Sequence, residues 1–370
     1  MRHPMAMVRI AALVAGLMAS TGLPAASAGL INQSLHIEAT IEGRRATLEA
    51  VMIRPDGPGP FPLAVLSHGS PRDGKERAAM SPLALLPQAT VFARRGWAAV
   101  SVMRRGYGGS SGPAVEGTGP CNNPDYLASG RRSAADLRAV IGQLSANPLI
   151  DASRIISVGI SAGGFASVAL TAAPPPGLLA AISFAGGRGS VRPDEVCQED
   201  RLVEAFRRFG QSSRLPTLWI YAENDHFFGP GLARRFHAAF TGAGGRAEFI
   251  GAPASGDDGH HLFRRGIDAW TPWVDRFLDD LGLAPRQPLI PVTAAHLAPP
   301  SGLSANGRAA FADYLAAAPN KAFALSSDRA FGWKSGQRSE ADAQTGALTA
   351  CRKHTALACR VFSVNDHRAE

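Results

Sequence analysis

The sequence predicts an α/β fold with a mostly parallel, doubly wound sheet, an antiparallel hairpin before it and a small α+β module after it. Between residues 60 and 282, short apolar runs typical of buried strands alternate with stretches of helical periodicity. Residues 35–53 instead alternate apolar and polar side chains around the turn Glu42-Gly43, as a hairpin does. Helix and strand signals resume after a Pro-rich stretch that ends at Pro300.

These changes in composition divide the chain into four segments. Residues 1–28 are predicted to form a signal peptide, and residues 29–284 are predicted to form the α/β domain. Residues 285–303 are a Pro-rich linker, and residues 304–370 are the small C-terminal module. Because few contacts cross such linkers, we expect the module to fold separately.

Apolar runs and helical periodicity locate the individual elements. Strands of the main sheet are predicted over residues 63–66, 98–103, 155–158, 217–221 and 248–250. Helices are predicted over residues 131–146, 165–173, 199–209, 231–241 and 267–281. In the module we expect helices over residues 304–317 and 339–351, strands over residues 322–325 and 359–364, and a turn or further strand over residues 329–336.

Residues 159–163 have the sequence Gly-Ile-Ser-Ala-Gly and lie between a predicted strand and a predicted helix. This context is typical of a nucleophile elbow, a strained turn that exposes the serine hydroxyl. Small residues are needed two positions before and after the serine, and Gly159 and Gly163 meet that demand. The alternative is an ordinary Gly-rich turn. The motif therefore predicts Ser161 as a nucleophile.

A serine hydroxyl is a weak nucleophile at neutral pH and needs a histidine base that a carboxylate orients. Candidates for both follow predicted strands, in the chain order serine, acid, histidine. The strand over residues 217–221 runs into the polar turn Ala-Glu-Asn-Asp at residues 222–225. The strand over residues 248–250 leads to His260 and His261. The spacing leaves room each time for a crossover helix and a strand, as doubly wound topology requires.

The tetrahedral intermediate of such a reaction carries an oxyanion, which needs N–H donors aimed at it. One donor is expected from the backbone of Ala162, the residue after the nucleophile. The other is expected from the loop 67–71, Ser-His-Gly-Ser-Pro, which follows a predicted strand. Ser70 has an N–H group and Pro71 has none, so Ser70 is the candidate. The alternative for this loop is an ordinary turn at a strand end.

Five motifs together resemble the dienelactone hydrolase-like branch of the α/β-hydrolases: Ser-His-Gly-Ser (67–70), Arg-Arg-Gly-Tyr-Gly-Gly-Ser-Ser-Gly (104–112), Gly-Ile-Ser-Ala-Gly-Gly (159–164), Glu-Asn-Asp (223–225) and Asp-Gly-His (258–260). The resemblance covers about residues 45–282. It implies the α/β-hydrolase fold, a Ser161–Asp225–His260 triad, and hydrolysis of a small carboxylic ester or lactone. The namesake enzymes carry a cysteine nucleophile, so their dienelactone substrate does not transfer to a chain with Ser161.

The resemblance also separates the remaining candidates for the site. His260 matches the family pattern and is the expected base, whereas His261 is expected at the rim of the pocket. The Gly-rich loop 104–112 is either a wall of the site, with Arg104 or Tyr107 facing the substrate, or a solvated turn. The sequence has no phosphate-binding glycine motif and no residues at metal-ligand spacing, so we expect no nucleotide cofactor and no metal.

The N-terminus has the composition of a secretory signal peptide. Arg2 and Arg9 precede an apolar run over residues 10–23, and Ala-Ser-Ala at residues 26–28 forms an Ala-x-Ala cleavage site. The apolar run is short for a membrane span, and an uncleaved anchor is the alternative. We therefore expect an exported protein, periplasmic or secreted, without stable membrane insertion after cleavage.

Charge and cysteine content agree with export. The net charge of +8 falls to about +6 when residues 1–28 are removed. The sequence contains no block of Lys and Arg residues, so we expect no nucleic-acid partner. Four cysteines in an oxidising compartment indicate disulfides, for which we expect the pairs Cys121–Cys197 and Cys351–Cys359. Four cysteines allow three connectivities. A zinc site is the alternative, but the Cys-x-x-Cys spacing is missing.

The sequence thus predicts an exported serine hydrolase that cleaves small carboxylic esters or lactones through an acyl-enzyme. Two alternatives stay open. One is a peptidase or acyl-peptide hydrolase on the same triad, and the other is a catalytically silent binding protein with this fold. The C-terminal module has two interpretations as well: a packing appendage, or a contact with the cell envelope or a partner.

Overall fold

A computed structural model describes residues 29–284, 286–293 and 295–369, so the predicted signal peptide lies outside the described residues. The strands of the main domain are Leu30–Ile41 (β1), Arg44–Pro55 (β2), Phe61–Ser67 (β3), Ala98–Val102 (β4), Ile150–Ile160 (β5), Leu178–Phe184 (β6), Ser190–Arg192 (β7), Glu195–Val196 (β8), Pro216–Ala222 (β9) and Arg246–Ala252 (β10). Eight of them form one sheet in the order β1-β2-β4-β3-β5-β6-β9-β10, and β7 and β8 form a separate ribbon.

The sheet is parallel from β4 to β10 and antiparallel at the edge that carries β1 and β2. Parallel pairing joins β4 to β3 and continues through β5, β6 and β9 to β10. β1 and β2 pair antiparallel, as do β2 and β4. The hairpin turns at Glu42 (φ 51°) and Gly43 (φ 78°), two left-handed residues that suit the twist of the strands. The structure confirms the predicted fold class.

Helices cover both faces of the sheet. One face carries Tyr126–Leu144 (α2), Ala162–Thr171 (α3), Glu199–Gly210 (α4) and Pro230–Gly242 (α5), and the other carries Leu86–Arg94 (α1), Leu262–Arg265 (α6) and Ile267–Asp280 (α7). Alternate side chains of β3 enter the two cores, Leu63 and Val65 on one face, Ala64 and Leu66 on the other. Because both faces are buried, the central strands are continuous apolar runs.

The strand β6 and the helix α1 are among the elements of the main domain that were not predicted from the sequence, and the helix α2 begins earlier than predicted. The strand β6 contains alanines, which have low strand propensity. The helix α1 contains a proline, a residue that usually interrupts helices, but it stands in the first turn, where its missing N–H group breaks no hydrogen bond. The helix α2 begins at Tyr126 because the carboxylate of Asp125 accepts the N–H of Ala128 at 2.9 Å and caps it.

The C-terminal module is a four-stranded antiparallel sheet with one helix on each face. Its elements are Ala305–Ala316 (α8), Ala322–Ser326 (β11), Phe331–Lys334 (β12), Glu340–Arg352 (α9), Cys359–Val364 (β13) and His367–Arg368 (β14). The strand order is β12-β11-β13-β14. Buried residues of α9 pack on one face of β11, and those of α8 pack on the other. This is the predicted α+β arrangement.

The module packs against the main domain through the loop after β12. The guanidinium of Arg338 donates to both carboxylate oxygens of Glu49, at 2.9 and 3.2 Å, and to the carbonyl of Met80 at 3.1 Å. A Cβ atom on Gly336 would lie 2.6 Å from the Cα atom of Ala84, so the two backbones are in direct contact there. The position of this loop on the main domain is therefore fixed by both an ion pair and close packing.

Both expected disulfides are present. Cys121–Cys197 joins the segment before α2 to the segment between β8 and α4, and Cys351–Cys359 joins α9 to β13. The first closes a sequence separation of 76 residues and the second a separation of 8 residues.

Removal of the long-range disulfide is expected to destabilise the protein more than removal of the short-range one. A cross-link stabilises by restricting the unfolded chain, by roughly 4.5 kcal/mol for the longer loop and about 2.5 kcal/mol for the shorter one. Urea unfolding of the double variants Cys121→Ser/Cys197→Ser and Cys351→Ser/Cys359→Ser measures the difference. The reverse order of unfolding midpoints would contradict this assignment.

Candidate active site

Ser161 lies on a strained turn between β5 and α3. Its backbone angles, φ 57° and ψ −121°, are a combination that residues with side chains rarely adopt. Backbone hydrogen bonds hold it there: the N–H of Ser161 donates to the carbonyl of Phe184 at 2.9 Å, and its carbonyl accepts from Phe165 at 2.9 Å and Gly187 at 3.1 Å. The turn has the strained geometry that the elbow motif predicts.

The glycines on either side of Ser161 are required by close packing of the backbone. A Cβ atom on Gly159 would lie 2.2 Å from the carbonyl carbon of Gly163. A Cβ atom on Gly163 would lie 2.0 Å from the carbonyl oxygen of Ser67. No side chain fits at either position, so β3, β5 and α3 can meet here only with Gly-x-Ser-x-Gly.

Asp225 follows β9 and His260 follows β10, and the fold brings the two side chains together. Nδ1 of His260 lies 3.1 and 3.2 Å from the two carboxylate oxygens of Asp225. That carboxylate also accepts the N–H groups of Phe227 at 2.7 Å and Phe228 at 3.0 Å. Because Nδ1–H donates to Asp225, the neutral imidazole carries no proton on Nε2. His260 and Ser161 line the same cavity.

Asp258 fixes the loop that carries His260. One of its oxygens accepts the N–H of His260 at 2.9 Å and the N–H of His226 at 3.1 Å. Burial works against ionisation of Asp258, but these two N–H groups outweigh it and lower the pKa of the carboxyl. The loop therefore has a permanent anionic anchor at neutral pH.

Aromatic and cationic groups surround the imidazole of His260. The ring of Phe227 stacks on it, with centroids 3.9 Å apart and planes 12° from parallel. The guanidinium of Arg72 lies over the Phe227 ring, 3.6 Å from its centroid. Burial, followed by the charges of Arg264 and Arg265, lowers the pKa of His261 to about 4. His261 is thus neutral at neutral pH, and it lines the cavity.

The loop after β3 passes beside Ser161. A Cβ atom on Gly69 would lie 3.1 Å from Cβ of Ser161. His68 supports this loop: its Nδ1 lies 2.7 Å from the carbonyl of Gly69, and its Nε2 accepts the N–H of Arg104 at 3.1 Å. Burial lowers the pKa of His68 well below its ordinary value, so the ring is neutral and its tautomer is defined. Ser70 lines the cavity next to Ser161.

A buried ionic network centred on Glu116 lies next to this loop. The carboxylate of Glu116 accepts two hydrogen bonds from Arg104, at 2.6 and 3.0 Å, and pairs with Arg188 at 2.7 Å. It also accepts the hydroxyls of Tyr107 at 2.6 Å and Ser70 at 3.2 Å. Burial opposes the charge on Glu116, but the two guanidinium groups outweigh it and hold its pKa well below the ordinary value.

Arg104 does not line the cavity, which corrects the expectation that it faces the substrate. Its guanidinium is fully buried and donates to Glu116, to Oγ of Ser67 at 2.7 Å and to the carbonyl of His68 at 2.8 Å. A buried cation needs such partners, so the side chain supports the loop after β3 instead of a ligand. Tyr107, the other candidate from this segment, does line the cavity.

The cavity over Ser161 has two lobes. The smaller, of about 300 Å³, is lined by Tyr107, Glu116, Ala162 and Arg188 among others. The larger, of about 700 Å³, is lined by His260, His261, Met80 and residues 334–337 among others. The walls of both lobes include Ser70, Pro71, Arg72, Ser161 and Phe227. Across the described residues, no group of three or more His, Cys, Asp or Glu side chains could hold a metal ion.

Replacement by alanine is expected to destabilise the protein at Gly163 and to stabilise it at Gly142. A Cβ atom at Gly163 collides with backbone, which cannot yield cheaply, whereas Gly142 lies exposed in α2 with nothing within 4 Å of an added Cβ. We expect Gly163→Ala to lower the free energy of unfolding by more than about 2 kcal/mol and Gly142→Ala to raise it by about 0.5–1 kcal/mol. Urea unfolding measures both, and a neutral Gly163→Ala variant would contradict the packing.

Glu116→Gln is expected to lower the free energy of unfolding by about 3–5 kcal/mol, because it leaves two buried guanidinium groups without their anion. The pKa of Glu116 is depressed in the folded state, so its contribution is complete above the ordinary value of 4.5 and is lost as the pH falls further. The difference between wild type and variant should therefore shrink below about pH 4.5.

Glu204→Gln is the matched control for Glu116→Gln. Glu204 pairs with Arg207 and Arg208 on the surface, where ion pairs contribute about 0–1 kcal/mol. Equal losses of stability in the two variants would show that the Glu116 network contributes no more than a surface pair.

Comparisons with known proteins give one family match and several similar solved structures. Residues 42–223 match the family model of the X-Pro dipeptidyl-peptidases of the S15 family. Among curated proteins, none matches the chain. An esterase from Pyrococcus furiosus is 15% identical, with 67% of this chain and 90% of that chain covered and a TM-score of 0.48. A thermophilic esterase from the planctomycete Thermogutta terrifontis is 21% identical, with 69% and 94% covered and a TM-score of 0.48.

A Klebsiella pneumoniae protein whose name assigns it to the dienelactone hydrolases is 17% identical, with 69% of this chain and 99% of that chain covered and a TM-score of 0.45. The family match spans the segment from the hairpin turn to the turn after β9, which includes Ser161. The sheet order and the elbow have the arrangement of the α/β-hydrolase fold, and the family match is a similarity to hydrolases over just under half of the chain.

Proposed function

We propose that the protein is an exported serine hydrolase of small carboxylic esters or lactones. The observation that carries the proposal is the 3.1 Å contact between His260 and Asp225 beside a strained Ser161. Ser161 attacks the ester carbonyl while Nε2 of His260 takes its proton and then passes it to the leaving alcohol. Asp225 orients the imidazole and stabilises its charged form. Water then hydrolyses the acyl-enzyme on Ser161 by the same base.

Two backbone N–H groups are proposed to bind the oxyanion of the tetrahedral intermediate. Ala162 is the first residue of α3, so its N–H lies at the positive end of that helix. Ser70 lines the cavity beside Ser161, and its hydroxyl oxygen lies 2.6 Å from that of Tyr107. Such donors stabilise charge that develops only during the reaction, and each contributes about 10²–10³-fold in rate.

A peptidase is the second candidate, because the S15 family model matches the chain. A dipeptide released from a peptide N-terminus carries an ammonium group, which needs a free carboxylate in the site. Among the described residues that line the smaller lobe, Glu116 is the one carboxylate, and two arginines already bind it. Arg72 and Arg77 add further positive charge to that lobe. This charge distribution makes the smaller lobe unfavourable for an ammonium group, whereas the larger lobe includes the carboxylates of Asp73 and Glu76.

The disulfides support export. Cys121–Cys197 and Cys351–Cys359 need an oxidising compartment to persist, and the periplasm or the extracellular space provides one. Within the described part of the chain, the structure has no helix that combines the length and the apolar character of a membrane span.

The triad is tested by kinetics of four variants on p-nitrophenyl esters and X-Pro p-nitroanilides. Ser161→Ala and His260→Ala are each expected to lower kcat by at least about 10⁴-fold, because nucleophile and base act as one unit. Asp225→Asn is expected to be severe as well, because the imidazole loses its orienting acceptor.

His261→Ala is the control for His260→Ala, since it removes a neighbouring imidazole from the same cavity and should retain most of the activity. Loss of activity in His261→Ala but not in His260→Ala would move the base. Turnover unchanged in Ser161→Ala would refute the serine mechanism, and faster cleavage of the X-Pro substrates would favour the peptidase.

A further inference from the structure

The C-terminal module forms part of the active-site cavity. Residues 334–337, which are the last residue of β12 and the three that follow it, line the larger lobe together with Ser161 and His260. The module therefore reaches the residues proposed to carry out catalysis, although it lies about 70 residues beyond His260 in the sequence. Neither the family match, which ends at residue 223, nor the elbow motif assigns it a role.

The position of His260 distinguishes the two lobes. In an acyl transfer the histidine returns its proton to the leaving oxygen, so the leaving group lies on the side of the imidazole. His260 belongs to the wall of the larger lobe and not to the wall of the smaller one. The leaving alcohol thus occupies the larger lobe, and the acyl group occupies the smaller one.

We propose, on the basis of the proposed function, that residues 334–337 form the subsite for the leaving alcohol. The larger lobe has more than twice the volume of the smaller, so the alcohol is the bulkier part of the substrate. Ala79, Met80 and Ala84 offer it an apolar surface, and Lys334, Ser335 and Gln337 offer polar groups. The substrate class is an ester of a small acid with a bulky alcohol that carries a polar end.

The loop 334–337 is held in place before a substrate binds. The N–H groups of Gly336 and Gln337 donate to the carbonyls of Pro319 and Asn320, at 3.1 and 3.2 Å. The Asn320 amide donates to the Gln337 carbonyl at 3.0 Å. Together with the Arg338–Glu49 ion pair, these hydrogen bonds hold the loop 334–337 as a fixed wall of the larger lobe instead of a flexible flap.

A bulky substitution in the loop tests the subsite. Ser335→Trp is expected to fill part of the larger lobe. We compare two esters of the same acid, the 2-naphthylmethyl ester and the methyl ester. The kcat/KM for the 2-naphthylmethyl ester, divided by the kcat/KM for the methyl ester, should fall at least about tenfold in the variant. The ratio for methyl hexanoate to methyl acetate, in which only the acyl group changes, should stay within about twofold. Thr345→Trp, exposed on α9 of the same module, is the control and should change neither ratio.

Lys334→Glu is a second variant that adds no bulk and reverses an exposed charge. We expect it to lower kcat/KM for a 2-sulfoethyl ester relative to the 2-hydroxyethyl ester of the same acid by severalfold at low ionic strength. High salt should reduce this difference.

The order of the chemical steps separates a binding role from a structural one. Acylation expels the alcohol, so Ser335→Trp should slow acylation by bulky esters and leave the deacylation rate constant, measured after a p-nitrophenyl ester burst, within about twofold. A variant that changes the acyl ratio or deacylation instead would overturn the subsite. Absence of ester hydrolysis in the wild type would refute the proposed function itself, which is a different outcome.

Discussion

A buried carboxylate between two arginines holds the segments around Ser161 in one arrangement. Glu116, between β4 and α2, pairs with Arg104 after β4 and with Arg188 after β6. The same carboxylate accepts the hydroxyl of Ser70 in the loop after β3. Without this anion, two guanidinium groups would be buried without a counter-charge, at a cost of several kcal/mol. Three loops around Ser161 therefore depend on a single side chain.

The second constraint is the contact between the backbones of β3, β5 and α3, which only glycines allow. It forces Ser161 into its strained conformation and sets the start of α3 directly after it. Both constraints exist before any substrate binds. In the proposed reaction, little free energy is spent on reorganising the site when charge develops on the substrate oxygen, because the hydrogen-bond donors and the loops are already fixed.

Much of this fold could be predicted from local patterns. Buried parallel strands give continuous apolar runs, and polar residues in the loops that follow them, such as Ser161, Asp225 and His260, fall at one edge of the sheet. The structure brings Asp225 and His260 within hydrogen-bonding distance, while their catalytic roles remain predictions. Sequence patterns also indicated both disulfides, from four cysteines in a chain with a signal-like N-terminus.

The remaining features depend on contacts between distant segments, which no local pattern reveals. Glu116 lies in an irregular stretch without periodicity, so nothing in the sequence marked it as buried. The Gly-rich loop of Arg104 fits either a wall of the site or a solvated turn, yet the partner of Arg104 is that same buried carboxylate. Separate folding of the module after the Pro-rich linker stays a prediction, and the Arg338–Glu49 pair, which no local pattern indicated, joins residues 289 positions apart beside the active-site cavity.

The central claim is that Ser161 is an activated nucleophile, and covalent labelling tests it most directly. The wild-type protein is treated with a fluorophosphonate, and intact mass followed by peptide mapping locates the adduct. The account predicts one adduct per chain, on Ser161, formed far more slowly when His260 is replaced by alanine. A chain that takes no label, or takes it at another residue, would contradict the account.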